Sequence, residues 1–208
     1  MHRPASRHAL PEFTDRSALG TRTLDPYAKL FGERIVVLGA PLDDTAANDA
    51  VARLLLLEHA SPGQDIQLHI NSPGGPFEAM TAVYDTLAAI TCDVATTCIG
   101  RADSTAALLL ASGTPGKRSA LPGSRILLRQ PAADEPLHGS PSDLAVHAEE
   151  LLRRRALTVA LTSRHTGRDE VAVAGDLERD LVLDARAAKA YGVVDHVLGG
   201  RRGTGWAA

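Results

Sequence analysis

Apolar and polar positions along the chain alternate between two rhythms. Arg34-Ile35-Val36-Val37-Leu38 is a short apolar run closed by Gly39, the pattern of a buried strand. Asp44 to His59 then sets Val51, Leu54 and Leu55 at helical spacing behind an acidic start. The two rhythms repeat. Asp65 to Ile70 predicts a strand that delivers the chain into Pro73-Gly74-Gly75, and Phe77 to Ile90 predicts the next helix. Val94 to Ile99 predicts a third strand, followed by a helix that opens at Ser104 and is ended by Gly113. Arg118 to Leu121 and Ile126 to Leu128 read as short strands separated by the turn Pro122-Gly123. Strands and helices that alternate over short connections predict an α/β layered domain.

Beyond Pro131 the pattern stops. Ala132 to Pro141 has no core spacing and reads as a loop, after which Ser142 to Thr166 reads as one long helix with apolar faces from Leu144, Val146, Leu152, Leu157 and Leu161. Its Glu149-Glu150 and Arg153-Arg154-Arg155 lie three to four residues apart, the spacing of ion pairs on a solvated helix face.

Composition narrows the function classes. A chain of 208 residues can bury one sizeable core, and a net charge of −3 offers no attraction to nucleic acid or to a membrane surface. No apolar run approaches the roughly 20 residues that span a bilayer. Met1 to Thr23 carries Arg and His but no apolar segment of the signal-peptide kind, so a cytoplasmic protein is expected. Cys92 and Cys98 are expected as buried thiols, without a metal-ligand pattern from neighbouring histidines, and nothing calls for a cofactor.

The candidate chemistry lies in Gly100 to Pro131. Ser104 stands where a strand meets a helix, so helix-N-terminal amides would favour negative charge developing near its hydroxyl. The plainer alternative is that Ser104, or Asp103 beside it, caps that helix. Other motifs decide between the two: Ile70-Asn71-Ser72-Pro73-Gly74-Gly75 upstream, Ser124-Arg125-Ile126 and Gln130-Pro131 nearby, and Glu178-Arg179-Asp180 and Tyr191-Gly192-Val193-Val194-Asp195 downstream. In this order and spacing they resemble the proteolytic subunit of the ATP-dependent Clp protease, a serine endopeptidase, over residues 24–198.

The resemblance implies a ClpP/crotonase-like spiral of ββα units with a protruding handle, 132–166, that stacks two seven-membered rings. A flexible arm, 1–23, precedes the domain and a tail, 199–208, follows it. It places the nucleophile at Ser104, the triad acid at Asp180 and the oxyanion-hole amides at Gly75 and Thr105. Arg179, with Asp180, matches the family's ring-to-ring sensor. Where the family has its histidine, this chain has Arg129. A guanidinium stays charged above pH ~12 and has no acceptor, so it cannot take a serine proton; it would pair with Asp180, and with Asp103, instead. Loss of a triad member leaves only the residual catalysis of oxyanion hole and binding.

The resemblance also implies a docking pocket for the loops of the hexameric unfoldase, lined by aromatic side chains. Here those positions hold Gln67, His69, Ala89 and Ser119. Both departures imply a catalytically impaired accessory subunit in a homo- or heteromeric barrel, reaching the ATPase through an active paralogue. Three alternatives stay open. The first is an active peptidase with another base, with His138 considered in the loop and His147 and His165 as structural histidines. The second is a pure scaffold, and the third an acyl-CoA enzyme of the related crotonase kind.

Overall fold

The computed structural model describes residues 13–17, 20–132 and 138–199. The segment expected as an N-terminal arm contains the antiparallel hairpin β1 (Phe13–Ser17) and β2 (Gly20–Leu24), with Phe13 opposite Leu24. Residues 1–12, 18 and 19 of that arm, 133–137 of the expected handle and 200–208 of the tail lie outside the described residues.

The domain proper opens with α1 (Pro26–Gly32), started by Asp25, whose carboxylate accepts from the Ala28 amide. A sheet of seven strands follows: β3 (Ile35–Leu38), β4 (Ile66–Ser72), β5 (Val94–Asp103), β6 (Ser119–Ala120), β7 (Arg125–Leu128), β8 (Leu181–Asp184) and β9 (His196–Val197). Its order is β3-β4-β5-β6-β9, with β7 on the outer end of β5 and β8 on β7. All pairings in it are parallel except β7 with β8. The helices are α2 (Asp44–Ala60), α3 (Phe77–Ala89), α4 (Thr105–Ala111), α5 (Pro141–Thr166), α6 (Glu170–Asp176) and α7 (Ala185–Tyr191). This mixed α/β architecture is the one the alternating pattern predicts.

The core sits between the sheet and its helices. On β4 the even positions Ile66, Leu68 and Ile70 are buried while Gln67 and Asn71 are exposed, the two-residue period of a half-covered strand. α4 is buried at every position from Thr105 to Ala111, which is why its sequence carries no polar face. It lies between α3 and α5. Arg118 fastens these layers: it is 8% exposed, pairs with Asp195 at 2.6 Å, and donates to the carbonyls of Ala111 and His165. Cys92 and Cys98 are both buried free thiols.

Two features differ from the sequence pattern. β5 runs four residues past Ile99, because Arg101, Ala102 and Asp103 find new partners in Arg125, Ile126 and Leu127 of β7. The register with β4 slips on the way, from Ile70 opposite Cys98 to Ser72 opposite Ala102. Gly100 permits the slip: a Cβ there would lie 2.6 Å from Asn71 Oδ1, which accepts from the Arg101 amide. Second, α4 is capped at Ser112, one residue before Gly113.

α5 is the long helix expected after the loop. Ser140 and Asp143 close a capping box at its start, and Gly167 in the left-handed conformation ends it. Its buried residues all fall in the C-terminal half, Thr158, Val159, Leu161 and Thr162, while Leu144, Val146 and Leu152 are exposed. The charged run pairs within the subunit: Glu150 with Arg153 and Arg154, Arg154 also with Glu78, and Arg155 with Glu178.

Candidate active site

Ser104 is the single residue between β5 and α4, and its backbone is strained. It has φ 55° and ψ −119°, a conformation that L-residues rarely adopt. The strain is held on both sides. Its amide donates to the Leu127 carbonyl at 2.8 Å, and its carbonyl accepts from Ala107 in the first turn of α4. The alternative reading of Ser104 or Asp103 as an ordinary helix cap is corrected here, because neither side chain caps α4. The sharp turn instead presents Ser104 to a cleft of about 300 Å³.

That cleft is lined by Gly75, Pro76 and Phe77 from the turn into α3, by Ser104, Thr105 and Leu108, by Arg129 to Ala132, and by Arg154 and Thr158 of α5. It therefore unites four of the residues assigned from the sequence: Ser104, Thr105, Gly75 and Arg129. Asp180 joins them through Arg129, whose Nη2 stands 2.5 Å from Asp180 Oδ2. The pairing follows from the sheet. β7 and β8 are antiparallel with Leu128 opposite Leu181, so Arg129 and Asp180 are the next facing pair beyond the ladder.

Asp103 does not join this pair. Its buried carboxylate faces Arg101 at 3.7 Å and Arg125 at 3.6 Å, because those arginines occupy the β5–β7 strands that enclose it. The expectation that Asp103 also meets Arg129 is thus corrected. Asp180 pairs with Arg129 rather than with its neighbour Arg179, which is exposed in the turn between α6 and β8.

The Pro73-Gly74-Gly75 turn packs directly onto the Ser104 turn. Gly74 has φ +82°, and a Cβ there would meet the Asp103 carbonyl at 2.6 Å and Thr105 Oγ1 at 2.7 Å. At Gly75 a Cβ would fall 2.0 Å from the Leu42 carbonyl oxygen. Its amide points the other way and donates to Thr105 Oγ1 at 2.8 Å. The pattern also left out Phe77, Leu108, Arg154 and Thr158. The first two read simply as core, and the last two come from a helix far away in sequence.

The histidines stand elsewhere. None lines the cleft among the described residues. His138 and His147 are exposed. His165 shares a 2.8 Å hydrogen bond with the Tyr84 hydroxyl, and burial first, then the nearby Arg118 and Arg164, pulls its pKa below the ordinary value.

Of the four positions of the expected docking pocket, three share a lateral row or strand face. Gln67 and His69 lie on one face of β4; His69 lies opposite Thr97, and Thr97 opposite Ser119. Burial lowers the His69 pKa. Ala89 is exposed at the last residue of α3. All four are small or polar.

Comparison with known proteins matches this architecture. Residues 18–201 fit the sequence profile of the Clp protease family. The chain is 60% identical to an ATP-dependent Clp protease proteolytic subunit-like protein of Streptomyces coelicolor over 202 residues, 97% of this chain and 96% of that one. It is 48% identical to ATP-dependent Clp protease proteolytic subunit 3 of Frankia casuarinae, covering 96% of this chain and 92% of that protein. It is likewise 48% identical to proteolytic subunit 1 of Corynebacterium diphtheriae, over 97% of this chain and 96% of that protein.

Proposed function

The chain belongs to the Clp protease family, and from that premise we propose that it is an accessory proteolytic subunit without peptidase activity of its own. It would work in the cytoplasm, in a barrel completed by an active paralogue. The observation that carries this reading is the ion pair of Arg129 with Asp180 in the cleft that holds Ser104.

Acyl transfer through Ser104 requires a group that removes its proton as the bond to the scissile carbonyl forms, and returns it to the leaving amine. At the position facing Asp180 the family uses histidine, which both accepts and donates near neutral pH. Arg129 has only donors and no acceptor for a proton, and its guanidinium is engaged by Asp180 at 2.5 Å. Ser104 stands at its strained turn and Asp180 faces position 129, so the missing base is traced to the Arg129 side chain.

Assembly is the retained function. The half of α5 that leaves Leu144, Val146 and Leu152 exposed supports a ring-stacking handle, and the exposed Arg179 supports a contact across rings. The small and polar Gln67, His69, Ala89 and Ser119 support a subunit that leaves ATPase docking to its paralogue. The test is co-expression with a paralogue followed by sedimentation and a fluorogenic peptide assay: ring-sized particles whose turnover survives Ser104→Ala in this chain support the proposal. Isolated monomers, or turnover by this chain alone that needs Ser104, oppose it.

A further inference from the structure

We propose that the side chain of Thr105 is a built-in plug of the oxyanion hole, a second and separate block on catalysis at the site assigned above. The inference rests on the reading that the Gly75 and Thr105 amides form that hole. Thr105 opens α4, so its own amide is one of the first-turn donors that lack an intrahelical acceptor. The other donor, the Gly75 amide, is already occupied: Thr105 Oγ1 accepts from it at 2.8 Å and lies 3.1 Å from the Gly75 carbonyl, to which it donates. One hydroxyl thus brackets both backbone polar groups of Gly75.

The surroundings hold this hydroxyl in place. Thr105 is 7% exposed. Gly74 packs so close that a Cβ on it would fall 2.7 Å from Thr105 Oγ1 and 3.2 Å from the Thr105 amide. Gly75 cannot retreat, because the Leu42 carbonyl lies against its other side. α4 is otherwise buried and apolar from Ala106 to Ala111, so a hydroxyl at its first residue finds its partners in the neighbouring turn.

An oxyanion hole works because preorganised donors aim at the charge that develops on the substrate oxygen. Here the substrate oxygen must compete with an intramolecular acceptor at the Gly75 amide. Losing one such donor typically costs about 10²–10³-fold in kcat. A hydroxyl that can be displaced recovers part of this, so the plug is expected to cost about 10–100-fold. Because ground-state binding does not require the oxyanion, the effect falls on kcat and not on KM.

Two measurements test the plug, one of them independent of activity. Thr105→Ala removes the hydroxyl, while Thr105→Ser keeps it. Hydrogen exchange read by mass spectrometry on peptides covering 73–78, in the otherwise unaltered chain, should show about tenfold or more faster exchange at Gly75 in Thr105→Ala, with Thr105→Ser close to wild type. In an Arg129→His background, adding Thr105→Ala should raise kcat for a short fluorogenic peptide by about 10–100-fold at similar KM, and adding Thr105→Ser should not. Unchanged Gly75 exchange in Thr105→Ala overturns the plug, as does an Arg129→His/Thr105→Ala variant no faster than an Arg129→His variant that itself shows turnover. If Arg129→His variants are all silent while Gly75 exchange accelerates, the plug stands and the missing-base reading falls.

Discussion

Arg129 and Asp180 face one another one step beyond the last paired residues of an antiparallel ladder, Leu128 and Leu181, and their side chains meet at 2.5 Å. The backbone, not side-chain chance, brings them together. A histidine at 129 would leave from the same Cα, on the strand end that faces Asp180. The pair itself is half exposed, at 44% and 54% of the two side chains, so it contributes little to stability.

This chain, with Gln67, His69, Ala89 and Ser119 at the positions that the resemblance gives to the docking pocket, is expected to bind unfoldase loops and acyl peptides directed at that pocket at least about a hundredfold more weakly than an active paralogue does. Each aromatic wall missing at Gln67, His69, Ala89 and Ser119 removes about 1.5–3 kcal/mol of burial. Calorimetric titration beside the paralogue makes the comparison. Gln67→Tyr/His69→Tyr should recover part of the affinity, since both side chains stand on one face of β4; equal affinity in the wild type would show that the pocket lies elsewhere.

Arg118→Ala should destabilise the fold by about 3–5 kcal/mol, because it strands the Asp195 carboxylate and frees the Ala111 and His165 carbonyls at the meeting of α4, α5 and β9. A shift in denaturation midpoint reads this directly. A loss under about 1 kcal/mol would mean that water replaces the guanidinium without cost.

Stability should fall on mild acidification. The His165 pKa is lowered in the folded state, so below about pH 6.5 the unfolded chain takes a proton that the folded one refuses. Stability from this group is complete above that pH and is lost as pH falls toward the lowered folded value. His69, lowered by burial, acts in the same direction. Thermal midpoints of wild type and His165→Gln at pH 7.5 and 5.5 check the sign: the variant should lose part of the drop, and an identical drop would remove His165 as its source.

Much of the fold was legible because α2, β4, α3 and β5 each obey one period, 3.6 or 2, over many residues. The extension of β5 to Asp103 was not, since it depends on β7, whose pairing is non-local. The same limit governs the site. Ser104 and the glycines stand at punctuation points of the pattern, and Arg129 and Asp180 were found by motif. The arginines that claim Asp103, by contrast, sit on strands whose adjacency no local pattern reveals. Thr105 is a polar residue heading a helix of otherwise apolar positions, a local signal that its hydroxyl has a partner. Its bond to Gly75 joins residues 30 apart, which no local pattern reveals.

The most direct measurement is hydrolysis of a short fluorogenic peptide by the purified chain and its Arg129→His variant, each with and without Ser104→Ala. The account predicts no Ser104-dependent turnover in the wild type and measurable, Ser104-dependent turnover once histidine faces Asp180, with a stability change under about 1 kcal/mol. Robust wild-type turnover that Ser104→Ala abolishes would contradict it.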